Sequence, residues 1–168
     1  PGSDGRRRRA NPGRRAGAHH RLARLRRATP TGCHGRIRGV RILLDTQSWL
    51  WMLAAPERLR QSARALLSER RNELLLSSAS LWEISIKVGL GKLTLPGRLA
   101  TYLPPLIERS GVGVLPVAVE HALHVADLPP HHRDPFDRLL VAVARVERLP
   151  ILTADRTFEA YEVEILRA

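Results

Sequence analysis

Cysteine is almost absent from this chain. Cys33 stands alone among 168 residues, which excludes an intrachain disulfide and a cysteine-rich zinc site. A reducing cytoplasm suits that usage and is the expected compartment. Long apolar runs are missing too; none approaches the roughly 20 residues that cross a bilayer, so no membrane association is expected. Aromatic residues make up 4% of the chain, and none lies within residues 1–39. That stretch therefore offers nothing for base stacking. It also has no apolar segment behind its basic start, so no secretory signal is expected there.

Acidic residues are scarce in the same place. Residues 1–39 hold twelve Arg and a single acid, Asp4, for a net charge of +11, whereas residues 40–168 carry a net +1. With Gly, Pro and Ala between the arginines, 1–39 reads as a disordered basic arm that would hold nucleic-acid phosphates without sequence preference. Composition turns globular at Val40, the first residue of Val-Arg-Ile-Leu-Leu-Asp. Val40 is therefore the expected native start, encoded by an alternative start codon, with 1–39 an extension. Mass spectrometry of the native N-terminus checks this, and a peptide from residues 20–39 would refute it. Residues 40–168 suffice for one domain with a real core.

Within that domain, short apolar strands alternate with helical patterns. Arg41–Asp45, Glu73–Ser77, 112–116 and Ile151–Thr153 read as strands, with an edge strand expected at Val163–Leu166. Helices are expected around Trp49–Leu53, Leu59–Leu67, from Ser77–Ser80 to Gly89, over 98–109, through Ala122 and Val125, and from Phe136 to Val146. This alternation implies an α/β fold with a mostly parallel sheet covered on both faces. In such sheets, sites form outside the carboxyl ends of the strands. Asp45 and Asp155 fall at or just past two such ends.

Four acids stand out: Asp45, Glu83, Asp137 and Asp155. Each has a plain structural explanation. Asp45 and Asp155 suit helix N-caps, Asp134-Pro135-Phe136-Asp137 is a good helix start, and Ser80-Leu-Trp-Glu83 matches a capping box. Jointly they say more, because a carboxylate cluster repels itself unless a cation neutralises it. Glu83 lies among Leu81, Trp82, Ile84 and Ile86, and a partly buried carboxylate needs a partner. Lys87, one turn on, is one candidate.

These residues resemble a known family. Ile-Leu-Leu-Asp45-Thr46, Ser80-Leu-Trp-Glu83-Ile-Ser-Ile-Lys87, His132-Arg-Asp134-Pro-Phe-Asp137-Arg-Leu-Leu and Leu-Thr153-Ala-Asp155 look like PIN domains. More narrowly, they resemble the VapC ribonuclease toxins of bacterial type II toxin–antitoxin systems, over residues 41–168. The resemblance implies a three-layer α/β/α sandwich with an acidic pocket for Mg²⁺ or Mn²⁺, and cleavage of RNA. By position, Asp45, Glu83 and Asp137 match the three core acids and Asp155 the fourth, all as catalytic and metal-binding residues. Asp134 is expected to cap its helix and orient Asp137, and Thr46 and Thr153 to hydrogen-bond a carboxylate or a metal water. The resemblance further implies a cognate antitoxin, whose Arg or Lys would reach the carboxylates, and a homodimer. Trp49, Trp51 and Leu53 are the expected apolar surface for that homodimer.

Arg133, Arg138, Arg156, Lys87 and Lys92 are candidate RNA contacts, with ordinary solvated cations as the alternative. His131 and His132 read as surface residues of a Pro-rich loop. Gly89-Leu-Gly91-Lys92 lacks the spacing of a phosphate-binding loop and reads as a helix C-cap. Trp49, Trp51 and Trp82 are expected to pack in the core or at a subunit interface. A haloacid-dehalogenase-type phosphatase needs a second Asp two residues past the first, where this chain has Gln47. The remaining alternative is a non-catalytic nucleic-acid-binding protein that uses the Arg-rich arm, with the acids serving only as caps.

Overall fold

The structure, a computed structural model, describes residues 39–168; the expectation for a disordered arm lies outside them. Five strands form one sheet in the order β3-β2-β1-β4-β5: β1 Arg41–Leu44, β2 Glu73–Ser77, β3 Gly113–Leu115, β4 Ile151–Thr153 and β5 Ile165–Arg167. Every pairing is parallel. Central β1 pairs Leu43 with Leu75 and with Ile151, and Leu44 with Leu76 and with Leu152. Its Ile42, Leu43 and Leu44 are wholly buried, as a strand covered on both faces must be.

The period-two alternation of β1 divides the core. Ile42 and Leu44 join Trp49 of α1 (Thr46–Ala54), Ala63 of α2 (Gln61–Ser68), Ile84 of α3 (Ser78–Gly89) and Leu103 of α4 (Leu99–Ser110). Leu43 instead joins the unbroken buried run Leu140–Ala144 of α6 (Pro135–Glu147) and Phe158. Helices thus cover both faces, giving the expected α/β/α sandwich. Short α5 (Val119–His124) precedes α6.

The chain leaves β1 for β2 on one side and reaches β4 on the other, so strand order reverses about β1. The crevice beyond the carboxyl ends of β1 and β4 is the topological switch point where open α/β sheets hold ligands.

Boundaries differ from the sequence reading in a few places. The edge strand begins at Ile165, opposite Ile151, because a turn from Val163 N–H to the Tyr161 carbonyl occupies the preceding residues. Helix α3 starts at Ser78 with Ser77 as its N-cap, so the Ser80–Glu83 capping box does not form. That releases the Glu83 carboxylate for a tertiary partner. Helix α4 runs through Pro104 and Pro105, its apolar face held by Leu103, Leu99, Leu106 and Ile107. Gly91, at φ 68°, ends α3 as expected, with Lys92 N–H on Lys87 O and Gly91 N–H on Val88 O.

Candidate active site

Each acid reaches the crevice from a different element. Asp45 follows β1 and caps α1; one carboxylate oxygen accepts Gln47 N–H at 3.3 Å, while the other accepts the Thr153 hydroxyl at 2.8 Å. Thr153, the wholly buried last residue of β4, also accepts the N–H of Asp155 at 3.1 Å. Asp155 caps a short 3₁₀ turn, Arg156–Ala160, through Thr157 N–H at 2.7 Å. Capping and clustering are therefore not alternatives here. A carboxylate has two oxygens, and Asp45 and Asp155 each use one for the cap.

Glu83 enters from α3. Its Oε2 accepts the hydroxyl of buried Thr46 at 2.6 Å, and its Oε1 pairs with Lys87. Asp137 sits in the first turn of α6, whose cap is Asp134, accepting Phe136 N–H at 2.8 Å. Burial, and then the charges of Asp134, Asp45, Glu83 and Asp155, push Asp137 up to about 7. All four of those carboxylates therefore bear on Asp137. Burial likewise pushes Asp45 up, against the hydrogen bonds from Thr153 and Gln47, with Glu83 and Asp155 adding to the rise. Burial pushes Lys87 down, but Glu83, Asp134 and Asp137 outweigh it and hold the ammonium above its usual range.

His132 is where the sequence reading errs. It is buried, with its side chain 6% exposed, stacked on Tyr161 and tilted against Phe158. Its Nε2 lies 3.3 Å from Asp155 Oδ2, and His132, Asp137 and Asp155 present ligand atoms within 4.8 Å of one another. His131 is exposed, as expected. No periodicity marks His132, and Tyr161 carries no sequence signal; only the return of the chain after the 3₁₀ turn joins them.

The expected RNA contacts separate into two groups. Arg133, Arg156 and Lys92 are exposed. Arg138 instead donates to the carbonyls of Pro129, Val125 and Leu128, which makes it a clamp on the loop before α6. Lys87 serves Glu83 first. Of the apolar residues expected on a dimer surface, Trp49 packs in the core instead. It is wholly buried, and Trp51 and Leu53 pack partly on the same core, with Arg58 over the Trp51 ring at 5.8 Å. Trp82, by contrast, is 61% exposed and meets Phe136 edge-on at 5.1 Å. With Ile86 and Leu90 it forms an exposed apolar stripe at four-residue spacing along α3 and its cap.

Residues 42–164 match the family model described as the PIN domain. The chain belongs to the PIN-domain family. A 59-residue segment is 46% identical to Ribonuclease VapC16 of Mycobacterium tuberculosis (strain ATCC 25618 / H37Rv), covering 35% of this chain and 40% of that protein. The matched stretch is thus well under half of that relative's length. Among solved structures, VapBC2 from Rickettsia felis, bound to a DNA fragment from its promoter, is similar at a TM-score of 0.58. It shares 15% identity, over 76% of this chain and 98% of its own. DNA-bound VapBC from Salmonella typhimurium gives a TM-score of 0.56 at 21% identity, over 76% and 97%. At these identities the likeness is one of fold, and it agrees with the sandwich seen in this PIN domain. No helix among the described residues is long and apolar enough to cross a membrane.

Proposed function

We propose that this PIN domain is a metal-dependent endoribonuclease and the toxin of a type II toxin–antitoxin pair. The observation that carries the reading is the convergence of Asp45, Glu83, Asp137 and Asp155 from four elements onto one crevice. The local relative, named a ribonuclease, supports the activity. The similar VapBC structures support an antitoxin partner.

The donor set fits a hard divalent cation. Four carboxylates and two threonine hydroxyls offer oxygen, the preference of Mg²⁺ and Mn²⁺, while the nitrogen beside them, His132 Nε2, is turned to Asp155. Asp45, Glu83, Asp137 and Asp155 would hold the ion. When bound, such an ion acidifies attacking water and offsets charge on the phosphate and leaving oxygen.

The protein's own groups do the rest. Thr153 fixes Asp45, and Thr46 fixes Glu83, so neither carboxylate has to find its orientation during reaction. A carboxylate of the set accepts the proton of the attacking water, because His132 Nε2 faces Asp155 rather than open crevice. Arg133 and Arg156, each next in sequence to an acid of the cluster, are exposed and would hold RNA phosphates, with exposed Lys92 as a more distant contact. A basic side chain of an antitoxin, laid among the carboxylates, would compete with the cation. The α3 stripe of Trp82, Ile86 and Leu90 is the better surface for a homodimer than the first helix.

The test is cleavage of a structured RNA panel by the full chain with Mg²⁺, Mn²⁺ or EDTA, beside Asp45→Asn purified identically. Asn caps helices as well as Asp, so that substitution spares α1. Metal-dependent cuts at defined positions, absent from the variant, are expected. Intact RNA throughout, or equal cutting by both proteins, would refute the reading.

A further inference from the structure

The His132 ring is held more firmly than a loop histidine needs to be. Tyr161 Oη accepts the His132 backbone N–H at 2.9 Å and lies 3.3 Å from His132 Nδ1. The ring is parallel to the Tyr161 ring within 3°, at 5.4 Å between centroids, and Phe158 closes the other side at 4.5 Å. An ionised carboxylate only accepts, so the hydrogen between Nε2 and Asp155 Oδ2, 3.3 Å apart, is carried by Nε2, and the Tyr161 hydroxyl is free to meet Nδ1 as a donor. The other oxygen of Asp155 is fixed by Thr157 N–H at 2.7 Å.

We propose that His132 is a positioning residue of the site: Tyr161 locks its ring, and its Nε2–H aims the Asp155 carboxylate into the crevice beside Asp137. This rests on the reading of Asp155 as a metal-holding acid. Buried imidazoles that hydrogen-bond to ligating carboxylates restrict those carboxylates to binding orientations, so their loss weakens the metal more than the fold. The arrangement also agrees with the Asp155 carboxyl. Burial alone would raise it, yet the bonds from Thr157 and His132 hold it below its usual range.

Mn²⁺ binding to the full chain, followed by electron paramagnetic resonance, tests this without reference to cleavage. His132→Leu is expected to weaken Mn²⁺ binding by about ten- to a hundredfold. Tyr161→Phe, which touches no acid, should weaken it in the same direction. His132→Gln, which keeps a donor near the position of Nε2, should bind close to the unsubstituted level. If Tyr161→Phe binds Mn²⁺ at full strength, or His132→Gln binds no better than His132→Leu, the inference is overturned. Strong nitrogen coupling to bound Mn²⁺ would overturn it too, by making His132 a direct ligand. Failure of the unsubstituted protein to bind Mn²⁺ would overturn the proposed function along with it.

Discussion

The Thr153 hydroxyl donates to Asp45 Oδ2 at 2.8 Å across 108 residues of chain, while its oxygen accepts the N–H of Asp155 at 3.1 Å. One buried hydroxyl thus ties together the acids that follow β1 and β4, the two strands flanking the switch point. Thr153→Val removes the donor while nearly keeping the shape. It should cost about 1–2 kcal/mol in urea unfolding, because a buried acceptor loses its partner. Since that bond opposes the rise of Asp45, its loss should push the Asp45 carboxyl still higher. Divalent-cation binding should then need a higher pH. Unchanged stability and an unchanged pH profile would show that the bond is idle.

The carboxylate cluster should make the metal-free protein weaker as pH rises. Asp137, ordinarily near 3.8, is raised to about 7, first by burial and then by its acidic neighbours. A carboxyl raised in the folded state holds its proton more tightly there than when unfolded. Its contribution is therefore present at low pH and lost as pH rises between those two values. Asp45 shifts in the same sense, and Asp155 in the opposite one, costing stability only as pH falls through the acid range. Asp137→Asn should stabilise the metal-free protein at about pH 8 by on the order of 1 kcal/mol, allowing for solvent screening in an open crevice. It should do little at about pH 4. Melting curves at both pH values check this, and an equal effect at both would contradict it.

Much of the candidate site was legible because three of its four acids, Asp45, Asp137 and Asp155, sit at element boundaries. Asp45 and Asp155 follow short apolar strands, so parallel topology alone brings them to one edge. Glu83 was locatable but its partner was not. The apparent capping box pointed to Ser80, whereas Ser77 starts the helix and frees Glu83 for Thr46. His132 and Tyr161 were illegible because they lie 29 residues apart, in irregular segments on either side of α6 and β4, where no period applies. Arg138 looks like its neighbour Arg133, and only the fold turns it back onto three loop carbonyls. Trp49 and Trp82 likewise sit in similar apolar company, yet one is core and the other surface.

Helix α6 ends with a residue poorly suited to its place. Arg148 adopts φ 55°, with its N–H on Arg145 O and Leu149 N–H on Ala144 O. Glycine meets that left-handed conformation without a Cβ penalty. Arg148→Gly should therefore stabilise the domain by about 0.5–1 kcal/mol in chemical denaturation and leave divalent-cation binding untouched. A loss of stability would mean that the arginine side chain contributes more than the backbone strain costs.

If the domain pairs through the exposed stripe on α3, a charge placed there should break the pair. Ile86→Glu places a charge between Trp82 and Leu90 and should shift the protein from dimer to monomer in sedimentation equilibrium. Trp51→Ala, on the surface first suggested by the sequence, should disturb stability more than mass. If Ile86→Glu leaves the mass unchanged, the stripe is not the dimer surface.

The central claim is that the acids work as one unit in one metal site. A double-mutant cycle on RNA cleavage tests it most directly, using the full chain, Asp45→Asn, Asp137→Asn and the combination at saturating Mn²⁺. Each single substitution should lower the rate by about a thousandfold, and the pair should be little worse than either, as for residues that act together. Losses that multiply, or single variants that cut as fast as the unsubstituted protein, would contradict a shared metal centre.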